Sequence, residues 1–134
     1  MNVLVIDAQG GGIGRQVVAA VKREMPEAFV TAVGSNVNAT SAMLKAGADA
    51  AATGENAVIV GCRRADAIIG PVGIVIADSV YGEITPKMAA AVAQSAATRI
   101  LIPFDQCDNI IVGVDLPLGE RIRAAVDVLK GLAR

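Results

Sequence analysis

Apolar residues fall into two patterns along the chain. Val3–Ile6, Phe29–Val33, Asp66–Ile69 and Arg99–Ile102 are short runs rich in β-branched residues, as expected of strands buried on both faces. Between them the period changes to that of a helix. Val17, Val18, Val21 and Met25 share one face, with Arg15, Lys22, Arg23 and Glu24 outside it and Pro26 as the stop. A second helix is expected to start among Asn38, Thr40 and Ser41 and to end at Gly47, followed by a short strand over Asp49–Ala52. Thr53–Asn56 opens a helix running to about Arg64, and Thr85-Pro86 starts another over Lys87–Ala97. Ile122, Ala125, Val126, Leu129 and Leu132 mark a terminal amphipathic helix over Leu118–Leu132.

Two segments are less one-sided. Val72–Val80 is apolar apart from Gly73, Asp78 and Ser79 and suits either helix or strand; Pro71, placed in a first helical turn, favours helix. Asn109–Val114 reads as a last strand. The gap from Ile102 is too short for a helical crossover, so that strand is expected to be an antiparallel edge. The alternation predicts one domain over residues 1–134, of α/β class: a three-layer, Rossmann-like fold with a mostly parallel sheet of about five or six strands.

Composition narrows the chemistry. The chain has 134 residues, no His and no Trp, one Tyr and two Phe. Without His there is no Ser-His-Asp or Cys-His machinery and no imidazole metal site, and no metal site is expected. So few aromatics argue against a stacking platform for single-stranded nucleic acid, and a net charge of −1 gives no basic footprint for nucleic acid or an anionic membrane. Charged residues are only 19% against 54% hydrophobic, below the usual ~25% charged, which points to a homo-oligomer, with Pro71–Val80 or Met88–Ala97 as the homodimer face. Cys62 and Cys107 lack CxxC spacing and are expected to be unpaired thiols in a reducing cytoplasm. No apolar stretch reaches the ~20 residues of a membrane span, and no basic segment precedes the first strand, so the expected location is cytoplasmic.

The strongest chemical signal is Asp7-Ala8-Gln9-Gly10-Gly11-Gly12-Ile13-Gly14, between the first strand and the first helix. Glycines let the chain turn sharply and let a phosphate approach the backbone, where helix amides favour an anion. The spacing is G-x-G-x-G, not the G-x-G-x-x-G of the dinucleotide fingerprint, and Arg15-Gln16 replaces the Lys-Ser/Thr of a P-loop. Gly12-Ile13-Gly14 resembles the turn of short-chain dehydrogenases/reductases, but their Y-x-x-x-K is absent: Tyr81 is followed four residues on by Thr85. The second strand ends in Val33-Gly34-Ser35-Asn36, with no acid to hold an adenosine ribose, which weakens NAD. The ligand is thus expected to be a nucleotide, a dinucleotide such as NAD(P), or another small phosphorylated metabolite.

Around that turn the sequence places Asp7, Gln9, Ser35, Asn36, Thr53, Gly54, Glu55 and Asn56, with Asp105, Gln106 and Cys107 at the edge. Thr53 and Thr85 equally suit helix caps. Asp7, at the end of a central strand, suits either a functional carboxylate or one that holds the turn; Asp7 and Glu55 are the acid–base candidates, with Glu83 weaker. The inventory is better suited to holding a ligand than to transforming one, whether in a ligand-dependent enzyme or in a non-catalytic oligomeric sensor or scaffold. The segments IDAQGGGIGRQ, ATSAMLKAGADAAATGENA, IIGPVGIVIADS, GEITPKMA and ILIPFDQC resemble an uncharacterised bacterial family of small Rossmann-like proteins, a domain of unknown function. Its typical turn reads I-D-G-Q-G-G-G-I-G, from which Ala8 departs. The resemblance implies the fold and no particular activity.

Overall fold

The computed structural model describes residues 1–104 and 109–133. Five strands form one sheet: β1 (Asn2–Asp7), β2 (Phe29–Gly34), β3 (Ala50–Thr53), β4 (Ala67–Pro71) and β5 (Thr98–Ile102). Their order across the sheet is β3-β2-β1-β4-β5, and every pairing is parallel. β1 lies in the centre, and Val3, Leu4, Val5 and Ile6 are all buried. That is why its sequence is apolar at every position instead of alternating: both faces of a parallel strand are covered.

Helices α1 (Gly12–Glu24), α2 (Val37–Lys45), α3 (Glu55–Arg64), α4 (Pro86–Gln94) and α5 (Leu118–Leu132) connect and cover the sheet. Side chains alternate between two cores. Val3, Val5 and Ile69 meet α1, α2 and α5 on one face, through residues such as Val17, Met43 and Val126. Leu4, Ile6 and Ile68 meet α3 and α4 on the other, through Val58, Met88 and Val92. Caps set the helix starts. Asn36 accepts from Ala39 N–H at 2.9 Å to begin α2, and Thr85 Oγ1 accepts from Met88 N–H at 3.1 Å with Pro86 in the first turn of α4. No helix among the described residues is long and apolar enough to cross a membrane.

Two expectations are corrected. Val72–Val80 is neither an α-helix nor a strand: Val72–Val75 is a 3₁₀ turn and a series of turns follows. Pro71 still pairs in β4, opposite Ile102. The Gly73 carbonyl, which an α-helix would offer to residue 77, instead accepts from Ile76 N–H at 3.0 Å and Ser79 Oγ at 2.7 Å. Gly73, Ile74 and Val80 of this segment are buried, while Val72, Val75 and Ile76 stay partly exposed. Asn109–Val114 forms no strand among the described residues. Only Asn109 makes an isolated bridge, while Ile110 and Val112 are 80% and 90% exposed and have no core to pack on. The described sheet therefore has five strands and no antiparallel edge.

Candidate functional site

From β1 the chain runs outward through β2 to β3, and α3 then carries it back to β4 on the opposite side of β1. The direction of winding reverses between β1 and β4. The segments leaving these two strands depart to opposite faces, α1 to one and the 3₁₀ turn to the other, which opens a crevice at the carboxyl ends. A cleft of about 250 Å³ lies there. One side is the glycine turn, with Asp7, Gln9, Gly10, Gly12 and Ile13; Ile74, Val80, Ile84 and Phe104 supply much of an apolar wall.

The four glycines of the turn are not equivalent. Gly11 precedes α1 at φ +72°, in the left-handed region. At Gly14 a Cβ would lie 2.6 Å from Met43 Sδ and 2.8 Å from Asp7 Cβ, so the close packing of α1 on β1 requires its absence. Gly10 and Gly12 have neither reason. Neither has positive φ, and a Cβ would meet nothing within 4 Å at either. Both line the cleft, and among the described residues their N–H groups have no hydrogen-bond partner. Ala8 needs no left-handed geometry; Gln9, at φ +50°, makes the turn beside it.

Asp7 is only 5% exposed and committed to the turn. Its Oδ1 accepts from Ala8 N–H at 2.8 Å, and its Oδ2 from Gly14 N–H at 2.6 Å. Gly11 has no side chain to cap α1, so the strand-end carboxylate takes over that work and places negative charge at the positive end of the helix. This is why α1 starts at Gly12, inside the glycine run. Burial raises the Asp7 carboxyl above its ordinary value, against the opposing amides of Gly14, Ala8 and Ile13, and nearby Glu83 pushes it further up.

Glu83 enters from the loop before α4. Its Oε1 accepts from Ser35 Oγ at 2.6 Å, Asn36 Nδ2 at 2.7 Å and Gln9 N–H at 2.9 Å. Asn36 Nδ2 also donates to the Gln9 carbonyl at 2.9 Å. Burial pushes the Glu83 carboxyl up, but the three donors outweigh it and hold it below its ordinary value. The same loop contains Asp78, Val80 and Tyr81 at φ +64°, +57° and +54°. Left-handed geometry at a β-branched residue is uncommon. Here it turns Val80, 3% exposed, into the cleft wall.

Of the residues singled out in the sequence, Asp7, Gln9, Gly10, Gly12 and Ile13 line the cleft. Gly11 and Gly14 shape the turn from behind. Ser35 and Asn36 stand beside it, engaged with Glu83. Thr53, Gly54, Glu55 and Asn56 lie away from it: Thr53 Oγ1 is 2.7 Å from Thr40 Oγ1, Gly54 N–H donates to Gly34, and Glu55 accepts from Thr85 Oγ1 at 2.5 Å, tying the starts of α3 and α4 together. Asp105, Gln106 and Cys107 lie outside the described residues. Cys62 is a buried free thiol that burial pushes up to about 11, outside the range of a reactive thiolate at neutral pH. No group of three or more His, Cys, Asp or Glu side chains among the described residues is placed to hold a metal ion.

The chain belongs to a family described as a domain of unknown function (DUF3842), matched over residues 2–134. No curated protein matches it. Among solved structures it is similar to a dodecameric FMN-dependent UbiX-like decarboxylase from Escherichia coli O157:H7. The two share 18% identity over 97% of this chain and 76% of that one, with a TM-score of 0.50, a likeness of fold.

Proposed function

We propose that the cleft between β1 and β4 binds a small nucleotide or phosphorylated metabolite. The observation that carries this reading is the state of Gly10 and Gly12. Neither the conformation of the turn nor its packing requires glycine at these positions, and both offer N–H groups at the cleft without partners among the described residues. Bare backbone with spare donors at a helix start suits close approach by an oxygen acceptor. The apolar wall of Ile74, Val80, Ile84 and Phe104 suits a ring system at the other end of the same ligand.

Size and charge refine the class. About 250 Å³ lies below the ~300–1,000 Å³ usual for ligand sites, so a mononucleotide fits better than a dinucleotide such as NAD(P), with part of it outside the mouth. No Lys or Arg is among the described lining residues, which leaves backbone amides and the α1 dipole to hold any phosphate. FMN is a natural first probe, because the similar solved structure is of an FMN-dependent protein. With no Ser, Thr, Cys, Tyr, Lys, Arg or His along the described wall, and Asp7 committed to the turn, the site is equipped for binding more than for catalysis, which favours a sensor or scaffold over an enzyme that works unaided. A homo-oligomer remains the expected state, measurable by light scattering.

Thermal unfolding with FMN, ATP, GTP, NAD(P) and CoA at millimolar concentration tests this reading. A ligand at 100 times its Kd adds about 2.7 kcal/mol, a shift of several degrees. Gly12→Val is expected to abolish the shift and leave the far-UV spectrum unchanged, because the new side chain projects into open space in the cleft. No shift with any of these ligands would count against the proposal, and undiminished binding by Gly12→Val would place the ligand elsewhere.

A further inference from the structure

The end of β2 is where a dinucleotide-binding fold commonly places an acid that holds the ribose hydroxyls. Here β2 ends at Gly34 and is followed by Ser35 and Asn36, neither of them acidic. The structure nevertheless brings a carboxylate to that place. Glu83, 48 residues downstream of Ser35, bonds to Ser35 and Asn36 on one side and to the Gln9 amide of the glycine turn on the other. All three bonds fall on Oε1. Oε2 has no partner among the described residues, and the side chain is only half-buried.

We infer that Glu83 replaces, from the loop before α4, the hydroxyl-binding acid that β2 lacks, and that the ligand of the cleft therefore carries a ribose-type vicinal diol. The inference rests on the cleft being the ligand site, as proposed above. Oε1 is fixed by three donors from two separate segments, so the carboxylate is preorganised, with its second oxygen free to accept from a hydroxyl. The loop is shaped for this delivery. Ser79 is anchored to the Gly73 carbonyl, Asp78 N–H donates to the Ile84 carbonyl at 2.8 Å, and left-handed residues at 78, 80 and 81 turn the chain back toward β2. Strain of this kind at non-glycine residues gathers where a side chain must be held in one place. Glu83 stands outside the lining of the cleft but accepts from Gln9, which lines it beside Gly10, so a ligand that extends past the mouth over Gln9 can meet the glycine turn and the carboxylate together.

Calorimetric titration separates this role from that of a simple loop latch. AMP, GMP, CMP, UMP and FMN are compared with the 2′-deoxy forms of the four nucleotides, on the wild type and on Glu83→Gln. The wild type is expected to prefer at least one ribonucleotide over its deoxy counterpart by about tenfold, the scale of one hydrogen bond to a charged group. Glu83→Gln is expected to bring that ratio close to one. Ser35→Ala removes a donor to Oε1 while keeping the carboxylate, and is expected to retain the preference. Equal binding of ribo and deoxy forms by the wild type, or an equal loss of both in Glu83→Gln, overturns the inference. Binding of FMN alone, undiminished in Glu83→Gln, overturns it too while leaving the cleft as the ligand site; binding of nothing in the panel overturns both readings.

Discussion

Gly70→Ala is expected to destabilise the protein by about 3 kcal/mol, the upper part of the usual range for overpacking, read as a lower urea midpoint with an unchanged slope. A Cβ at residue 70 would press on the backbone carbonyl of Ile6 closer than real Cβ contacts occur, and would lie 3.2 Å from Ile74 Cδ1. Side-chain tips can swing away, but this neighbour is backbone. Ile6 sits in the central strand, buried and paired on one side with Val33 of β2. Relief would have to come from prising β1 and β4 apart at the end where the cleft lies. Gly12→Ala is the matched control. It adds the same methyl group where nothing lies within 4 Å, in the first turn of a helix, and is expected to be neutral or to stabilise by up to about 1 kcal/mol. Equal midpoints for the two variants would show that the close approach of β4 to Ile6 does not constrain residue 70.

The contrast marks what the sequence discloses and what it does not. Apolar runs gave the strands, and Pro26 and Thr85-Pro86 marked helix limits, because those signals act between near neighbours. The family resemblance agreed with them. The glycine run announced a turn, but not that Gly11 serves its conformation, Gly14 its packing, and Gly10 and Gly12 neither. Those distinctions depend on α2, through Ala39 beside Gly11 and Met43 beside Gly14. The apolar wall was legible only as core. Ile74, Val80 and Ile84 become cleft residues because β4 lies next to β1, which depends on strand order and not on local pattern. Thr53–Asn56 illustrates the reverse: it follows a strand, but an outer one, and its polar groups cap and tie helices away from the crevice. Glu83 had the weakest signal. No sequence rule places it at the end of β2; a loop held by Ser79 and turned by left-handed Asp78, Val80 and Tyr81 brings it there.

Asp7→Asn carries the second large effect, because one substitution removes both a helix cap and a titrating group. An amide at residue 7 keeps one acceptor oxygen and turns an NH₂ toward a backbone N–H that now loses its partner, either Ala8 or Gly14. Leaving a buried donor unsatisfied costs about 1–3 kcal/mol, and the start of α1 loses a favourable charge as well. The pH dependence distinguishes this loss from ordinary damage. The Asp7 carboxyl is raised in the folded state, so folding takes up protons there. Its contribution is fully present below the ordinary carboxylate value and declines as pH rises through the raised folded value. Glu83, held below its ordinary value, behaves oppositely: its contribution is present at neutral pH and is lost as pH falls through the folded value. Asp7→Asn deletes the first of these slopes and leaves the second. The stability gap between wild type and variant is therefore expected to be widest in acid and to narrow as pH rises toward neutrality, as measured by urea unfolding across that range. A gap that widened with pH would mean that the amides of Gly14, Ala8 and Ile13 outweigh burial at Asp7.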